Sequence, residues 1–554
     1  MKIFNVVASP ILSLVFCYSA AFGLDDRRED YFTKTFERAL KVSPGRTVYI
    51  DNIDGDISVS SWDRDEIHVE ATLEMLNLDE RTRELFSRET ELEVNPYRDG
   101  YRIVVDMPRG LEIEVESKAG TFRGTLKKLS RGRWVYTPSG GVELEVTIPS
   151  QMSLDVENSY GDVTIEGIEG KIEVVNESGS IDIQKCNGAI MAENSYGEIS
   201  ILDCDGDMEV KNSSGEVAVE DVTGSVEVVT SYKMAEVRRV SSDVTIRNTS
   251  GEVLATDIGG ALQIDTSSKP VTVSSVGGPA TIVCTSGDII LRQVQGEATI
   301  TGSYKPIEFL SIDGDLTING NSNRISGTSV SGKVDITSSY KSIELSDVEG
   351  DVNITGPSCL VDLESVGGDV YIQSSYKEIT VTDVGGDCEI DGNSNPVAVE
   401  NISGDVRIKS SYKTIKATNV GGSLDIRGGS CPVLVDGVKE VLSVSNSYKY
   451  VIVKRAESSI EIEGASSPIE ISEIAALPVG GLYDVSTTYK RITLVLPPNP
   501  SVKIWARTQH GKILSDFPML YKENGGKQAE ITLGNGDCDI RLATSSDIYI
   551  KKER

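Results

Sequence analysis

A tyrosine recurs every 36 residues along most of this 554-residue chain. Between Tyr160 and Ser466 no insertion or deletion breaks the count, and the one missing tyrosine is replaced by Ser268. Serines lie halfway between the tyrosines, so the basic unit is 18 residues long. The two series are Tyr160, Tyr196, Tyr232, Tyr304, Tyr340, Tyr376, Tyr412 and Tyr448, and Ser178, Ser214, Ser250, Ser286, Ser322, Ser358, Ser394, Ser430 and Ser466. A fixed period of this size indicates a solenoid of stacked coils.

Aliphatic residues hold fixed places within each unit. Counting the Tyr or Ser as position 0, they recur at +3, +5, +8, +12 and +14, with Gly usual at +10. In the unit that begins at Tyr340 they are Ile343, Leu345, Val348, Val352 and Ile354, with Gly350. A spacing of two is the period of a β-strand, so each unit predicts two short strands with one face inward. Positions +7 to +11 predict a turn in which glycine adopts backbone angles that other residues avoid.

The predicted fold is therefore all-β, a single-stranded parallel β-helix (solenoid) with 18-residue coils. Eighteen units run from Tyr160 to about Ala476, and at roughly 4.8 Å per coil they make a rod on the order of 85 Å long. Burial of five aliphatic side chains per coil, each worth roughly 1.5–3 kcal/mol, supplies an ample core. A hexapeptide helix would need an aliphatic residue at every sixth position, and the leucine-rich repeat has a different consensus. The pattern leaves the handedness open.

The first 23 residues predict a signal peptide. Lys2 precedes an apolar stretch, and Ala21-Phe22-Gly23 places small residues where signal peptidase requires them. We therefore expect an exported protein that is periplasmic, on the cell surface or extracellular. The alternative is an uncleaved membrane anchor, for which the stretch is short. No later stretch approaches about 20 apolar residues, so no transmembrane segment is expected in the mature chain.

Departures from the repeat predict a cap at each end. Residues 24–150 form an N-terminal cap with a first coil and a polar insertion, which runs from about Thr72 to Pro149 and includes a short helix at Leu78–Arg88. The β-helix proper covers residues 151–476. Residues 477–554 form a C-terminal cap that ends in a partial coil. Caps are needed because the open end of a β-helix is a sheet edge that invites pairing with other chains.

The chain is strongly acidic, with 85 Asp and Glu against 54 Lys and Arg, a net charge of −31. Such a balance argues against nucleic acid as a partner, because the phosphate backbone would be repelled. It also argues against an anionic membrane surface. Acidic charge keeps a long β-protein soluble.

Two cysteines occupy the same position in adjacent units. Cys186 and Cys204 both lie at +8, so they should stack about 5 Å apart, within reach of a disulfide. The alternative is that both serve as small hydrophobic core residues. From the sequence we favour the second of these interpretations.

Several segments resemble the bacterial putative-adhesin family of β-strand-repeat proteins. They are Val48–Val59 with Trp62–Asp65, the stretch NSYGDVTIEGIEG from Asn158 to Gly170, and the closing stretch from Thr508 to Ile550. The resemblance covers nearly all of the mature chain. It implies a right-handed single-stranded β-helix and carries no catalytic residues, cofactor or defined ligand.

Catalysis is not expected. Many β-helix enzymes that cleave polysaccharides build a cleft from long loops, whereas the loops here keep a constant length from Tyr160 to Ala476. The chain has only two histidines, His68 and His510, which leaves little for a histidine metal site or a Ser-His system. The alternative is a carbohydrate-active enzyme with its site in the N-terminal insertion or the C-terminal cap.

Aspartates at +11 form the one candidate metal site. Four successive units carry one there, and stacking would place neighbouring carboxylates about 5 Å apart, where calcium could relieve their repulsion. The four are Asp351, Asp369, Asp387 and Asp405. The alternative is that each faces water and bonds to turn backbone. No other cofactor is expected.

The tyrosine column is the candidate binding surface. Tyrosines in alternate coils lie roughly 10 Å apart, and most are followed by lysine. Facing outward, rings beside ammonium groups would form a ladder for a polysaccharide or an anionic polymer. The candidate contacts are Tyr304, Tyr340, Tyr376, Tyr412, Lys305, Lys341, Lys377 and Lys413. The alternative, which we favour from the sequence, is that each large ring packs a corner above the small serine of the next coil.

These observations together predict a secreted, non-catalytic β-helix protein, an adhesin or a rod that contacts a glycan, the matrix or the cell envelope. Besides the enzyme, a purely structural envelope protein is an alternative. The oligomeric state is open.

Overall fold

The computed structural model describes residues 31–52, 54–76, 80–106, 125–128, 134–137, 140–522 and 526–553. The predicted signal peptide, residues 1–23, lies outside them. In the described part, every 18-residue unit forms one coil with two strands, as predicted. Strands of successive coils pair in parallel exactly one unit apart, as in Ile343 with Val361 and Val352 with Val370. The β-solenoid is confirmed; its right-handedness stays a prediction.

The coils build two long parallel sheets. Sheet A contains the strands around +3 to +8: Ile57–Trp62, Val163–Glu166, Ile181–Gln184, Ile199–Cys204, Val217–Val222, Ala235–Val240, Val253–Ile258, Val271–Val276, Ile289–Val294, Ile307–Ile312, Ile325–Val330, Ser342–Val348, Leu360–Val366, Ile379–Val384, Val397–Ile402, Ile415–Val420, Val433–Val438, Val451–Ala456 and Ile469–Ser472. Sheet B contains the strands around +12 to +17: Thr47–Asp51, Ser153–Tyr160, Ile172–Ser178, Ile190–Asn194, Met208–Asn212, Val226–Thr230, Val244–Asn248, Leu262–Thr266, Ala280–Cys284, Ala298–Ser303, Leu316–Asn321, Val334–Thr337, Val352–Thr355, Val370–Ser375, Cys388–Asn393, Val406–Ser411, Leu424–Gly429, Leu442–Ser447 and Ile460–Ala465.

The core lies between the two sheets and consists of the predicted aliphatic positions. In the coil of Tyr340 all five of these side chains are buried. The turn from sheet A to sheet B differs from the expectation, because its left-handed residue is at +7, and of the glycines at +10 only Gly188 and Gly206 have positive φ. From Lys185 to Glu473 the non-glycine residues at +7 have φ between 50° and 63°. Asp, Asn and Ser are common there because they tolerate this region best. The glycine at +10 serves close stacking: a Cβ on Gly350 would lie 2.5 Å from the carbonyl oxygen of Gly332.

The N-terminal cap extends the same two sheets. Its described elements are the strands Tyr31–Lys41, Glu66–Leu76, Glu91–Tyr97, Gly100–Asp106 and Gly140–Pro149, the helix Glu80–Glu89, and a separate pair, Thr125–Lys128 with Trp134–Thr137. Gly140–Pro149 pairs in parallel with Ile57–Trp62 of sheet A, and Gly100–Asp106 pairs with Thr47–Asp51 of sheet B. The expected insertion therefore contributes strands to both sheets, while Thr125–Lys128 and Trp134–Thr137 pair with each other in a separate two-stranded sheet.

The C-terminal cap is interleaved. Its strands are Leu482–Thr487, Ile492–Leu496, Val502–Thr508, Ile513–Ser515, Leu520–Tyr521, Gln528–Leu533, Cys538–Thr544 and Ile548–Lys552. The last two, which we call the final coil, lie between the coil of residues 482–496 and the coil of residues 502–515. The chain thus ends in a coil, and the antiparallel pair of Val502–Thr508 with Gln528–Leu533 lies beyond that coil along the rod.

One core side chain in this cap carries an unpaired polar group. Tyr483 is fully buried, burial raises the pKa of its phenol, and its hydroxyl has no hydrogen-bond partner among the described residues. Tyr483→Phe removes this group and should stabilise the fold by about 1–3 kcal/mol. We expect a higher midpoint of thermal unfolding, whereas Tyr371→Phe on the outer face should change nothing. A lower midpoint for Tyr483→Phe would show that the hydroxyl is bonded after all.

Among the described residues, no helix has the length and apolar character needed to cross a bilayer.

Candidate binding surface

The tyrosine rings point away from the core. The side chains of Tyr304, Tyr340, Tyr376, Tyr412 and Tyr448 are 62–69% exposed. The interpretation that these rings pack a corner of the rod is therefore wrong. Together with the exposed Tyr160, Tyr196 and Tyr232 they form an outward-facing column at the turn that leads from sheet B back to sheet A, and we call this column the tyrosine ladder.

From Tyr304 to Tyr448 the turn itself holds each of these tyrosines in a strained conformation. Tyr340 has φ 67° and Tyr376 has φ 70°, in the left-handed region that bulky residues rarely enter. The backbone N–H of Lys341 donates to the carbonyl of Ser339, and that of Lys377 donates to Ser375, both at 2.9 Å. A bond across three residues with positive φ at the centre is the γ-turn that is rare and strained. The serines of the alternate coils, such as Ser358 and Ser394, are left-handed too.

Buried polar residues fill the corner beneath the turns. In the first coils the residue at +16 is mostly asparagine, as in Asn194, whose amide donates to the carbonyl of Gly179 at 2.7 Å. In the later coils glycine at +16 of each tyrosine coil leaves room for an inward residue at +1 of the following serine coil. These inward residues are Asn323, Cys359, Asn395, Cys431 and Ser467, all almost inaccessible to solvent. The corner space that the sequence interpretation gave to tyrosine is thus occupied by the smaller side chains of Asn, Cys and Ser.

Two of these residues fix the ladder from inside. The Asn323 amide donates to the carbonyl of Lys305 at 2.7 Å, and the Asn395 amide donates to that of Lys377 at 2.6 Å. The sequence interpretation missed them as positioning residues. The signal was present, because polar or small residues recur at +1 of the serine units every 36 residues, opposite the lysines of the tyrosine units.

The lysine column is exposed beside the rings. Lys305, Lys341, Lys377, Lys413 and Lys449 directly follow the five tyrosines. None of their ammonium groups makes an ion pair with any residue in the described part of the chain. The ladder therefore presents one unpaired positive charge with each of these five rings.

The ladder continues past the point where the sequence period fails. Five extra residues precede the strand Leu482–Thr487, because Ile460 pairs with Tyr483. This shift places Tyr489, 68% exposed, two coils after Tyr448, and Lys490 follows it. In the coil of residues 502–515 the exposed His510 holds the equivalent place, two residues after Thr508. Counting by 36 could not find these two residues.

A shallow trough of about 1070 Å³ runs beside the ladder on the outer face of sheet B. Small residues form its floor, among them Ser375, Ser411 and Gly429, whereas Lys409 and Arg427 contribute cationic groups. Both cations are partly neutralised, Lys409 by Asp391 at 2.9 Å and Arg427 by Asp425 at 3.2 Å. The trough and the ladder together offer an elongated surface parallel to the axis of the rod.

Comparison with protein-family models assigns the chain. Residues 49–409 match the model described as Toastrack DUF4097. The chain belongs to the Toastrack DUF4097 family. The predicted membership in a β-repeat family without an established activity is thereby confirmed.

Two solved structures match parts of this Toastrack chain and share little sequence with it. The crystal structure of a putative adhesin from Bacteroides fragilis is 11% identical, covers 60% of this chain and 97% of its own, and gives a TM-score of 0.20. That of a putative cell adhesion protein from Clostridium sporogenes is 10% identical, covers 42% of this chain and 100% of its own, and gives a TM-score of 0.15. No curated protein matches this chain.

The aspartates at +11 of the Toastrack coils bond to backbone. Asp351 accepts a hydrogen bond from the N–H of Asp369 at 2.8 Å, and the same bond links Asp369 to Asp387, Asp387 to Asp405 and Asp405 to Ser423. Each carboxylate thus bonds to the turn of the next coil, where the sequence alternative had it bond within a turn. The described residues contain no group of three or more His, Cys, Asp or Glu arranged to hold a metal. Calcium binding stays an untested prediction.

Cys186 and Cys204 stack in neighbouring coils, as expected, and both are buried thiols. The N–H of Cys186 lies 3.4 Å from the sulfur of Cys204. The hydrogen bond between the two thiols lowers the pKa of Cys186, whereas the same bond and burial raise the pKa of Cys204. Their oxidation to a disulfide stays a prediction.

Proposed function

We propose that this protein is an exported, non-catalytic rod that binds an extended glycan of a cell surface or matrix along the tyrosine ladder. The observation that carries the proposal is the combination of exposed rings and strained turns. Export rests on the signal peptide predicted from residues 1–23.

Stability of the fold does not account for the ladder. A left-handed residue other than glycine costs roughly 1–2 kcal/mol, and an exposed ring recovers little of that by burial. The serines of the alternate coils share this conformation, so ten coils from Tyr304 to Ser466 carry the cost, and the exposed rings of five of them do little to offset it. Strained, exposed residues of this kind are typical of sites that contact a ligand.

The spacing of the rings suits an extended polymer. Two coils advance the ladder by roughly 10 Å, which is twice the spacing between neighbouring strands of a sheet. An extended β-linked glycan advances by a similar distance for every two sugars, so one face of every second sugar can stack on a tyrosine. Tyrosine is suited to this contact because its ring offers an apolar face and its hydroxyl a polar tip.

The absence of catalysis is part of the proposal and is supported by the shape of the surface. The described coils from residue 160 to residue 472 have equal length, so no long loop rises beside the ladder to form a cleft. The trough is open along its length. Such a surface can hold a polymer but offers no enclosed site where water is excluded from a reacting bond.

The test compares two triple variants in the same turns. Y340A/Y376A/Y412A removes three rings, whereas the control S358A/S394A/S430A changes three serines with the same left-handed backbone. Both are assayed by retention of the protein on immobilised polysaccharides and envelope fractions. If each ring contributes about 1 kcal/mol, the tyrosine variant should bind on the order of a hundredfold more weakly, while the control binds normally.

Thermal unfolding separates binding from folding. We expect nearly unchanged midpoints for the tyrosine variant, because these side chains are mostly exposed and alanine loses little buried area there. A lower midpoint with retained binding would contradict the proposal and indicate a structural role. Lack of retention of the natural sequence on any glycan, or reducing ends released over time, would contradict it as well.

A further inference from the structure

We infer that the glycan is acidic, with one carboxylate in each disaccharide repeat, and that the lysines of the ladder recognise it. This inference rests on the proposed function, since it names the class of ligand for the same surface. The observation behind it is that a lysine ammonium group and a tyrosine ring recur together at a regular interval along the rod.

The ladder lysines differ from other lysines on the same coils. Lys333 pairs with Asp335 at 2.9 Å, Lys409 with Asp391 at 2.9 Å and Lys454 with Glu473 at 2.6 Å. The ladder lysines, in contrast, have no such partner among the described residues, although the chain carries a net charge of −31. An unpaired row of like charges gains most from a ligand that carries the opposite charge at the same interval.

The interval is set by the fold. Because each ammonium belongs to the residue after a ladder tyrosine, positive charges repeat every two coils, roughly 10 Å apart. Asn323 and Asn395 hold the carbonyls of Lys305 and Lys377, and Thr544 of the final coil holds that of Lys490 at 2.7 Å. One ring and one ammonium per step therefore match one stacked sugar and one carboxylate per disaccharide.

Near the N-terminal end of the β-helix, the tyrosines of the ladder are not followed by lysines. Tyr160 and Tyr196 are followed by Gly161 and Gly197, so the first ladder steps lack a lysine. Lysine first follows a ladder tyrosine at Lys233. The acidic glycan should therefore occupy the part of the rod from residue 232 to residue 490, in which the step at Ser268 offers Lys269 without a ring, and the earlier steps should offer stacking alone.

The test uses hyaluronan oligosaccharides, which carry one glucuronate in each disaccharide, and neutral chito-oligosaccharides of equal length. K341Q/K377Q/K413Q removes three ladder charges. The control K185Q/K211Q/K454Q removes three charges from lysines that are paired with Glu166, Glu209 and Glu473. Affinity is measured by calorimetry at low and physiological salt.

We expect tighter binding of hyaluronan than of the neutral oligosaccharide, and a loss of about tenfold in hyaluronan affinity for the ladder variant only. Its salt dependence should weaken, while its affinity for the neutral ligand stays the same. Equal binding of both ligands by the natural sequence would overturn this inference and leave the proposed function intact. An equal loss in ladder and control variants would also overturn it. Binding of neither ligand, nor of any polysaccharide in the retention assay, would remove the proposed function itself.

Discussion

Ending the chain after Gly536 is expected to unfold the C-terminal end of the rod. The truncation removes the final coil, whose strands lie between the coil of residues 482–496 and the coil of residues 502–515. Five buried side chains disappear with it: Cys538, Ile540, Leu542, Ile548 and Ile550. At roughly 1.5–3 kcal/mol each, the loss is on the order of 10 kcal/mol, comparable to the whole stability of an ordinary domain.

The damage should stay local, because each coil of a solenoid is stabilised by its neighbours alone. We expect loss of amide hydrogen-exchange protection across residues 482–533 and retained protection in the coils before residue 440. A chain that ends after Lys552 is the matched control and should behave as the full chain. Protection of Leu482–Thr487 in the longer truncation would show that the coils on either side can close directly upon each other.

Gly327→Val is expected to destabilise the middle of the rod, although it restores the aliphatic residue that the repeat has at +5. Phe309 holds +5 in the preceding coil and pairs with Gly327. A Cβ on Gly327 would lie 2.3 Å from the ring of Phe309. The clash should cost about 1–3 kcal/mol, as overpacking does, and Phe309→Val should cost a similar amount by leaving a cavity.

The double variant F309V/G327V gives the sharper result. It places a valine in both coils, so part of the loss should be recovered, with a coupling of about 0.5–3 kcal/mol between the two sites in thermal unfolding. Ser326→Val, on the outer face of the same strand, is the control and should change the midpoint little. Additive effects of the two substitutions would contradict the packing of ring against glycine.

Much of the fold could be predicted because its information is local. The two strands of a coil follow from alternation within five or six residues, and the neighbour of each strand lies one unit away along the chain. Val352 and Val370 are an example of both. Phe309 and Gly327 are different, because the repeat predicts an aliphatic residue at each position. Only their contact explains why one position has a large ring and the other has no side chain.

The residues of the candidate site could be predicted from the sequence, but the direction in which their side chains point could not. The sequence identified the ladder tyrosines and lysines, and it also suggested the wrong direction for the rings. From Tyr304 onward the outward direction goes with the γ-turn at position 0 and with Asn323 and Asn395 filling the corner beneath it, whereas Tyr196 and Tyr232 face outward without a left-handed backbone. Neither is visible in the periodicity, since Tyr and Ser share one backbone conformation in alternate coils. Tyr489 was missed because five extra residues break the count, although the stacking continues.

The sequence by itself determined that this chain stacks 18-residue coils, and which residues line the core. It could do so because hydrophobic periodicity and one-unit pairing are properties of neighbouring segments. Only the tertiary structure decided that the rings face the solvent, that the lysines are left unpaired, and that the final coil inserts between two earlier ones. Those outcomes depend on which groups compete for the same space and the same hydrogen bonds, and that competition exists only once the coils are stacked.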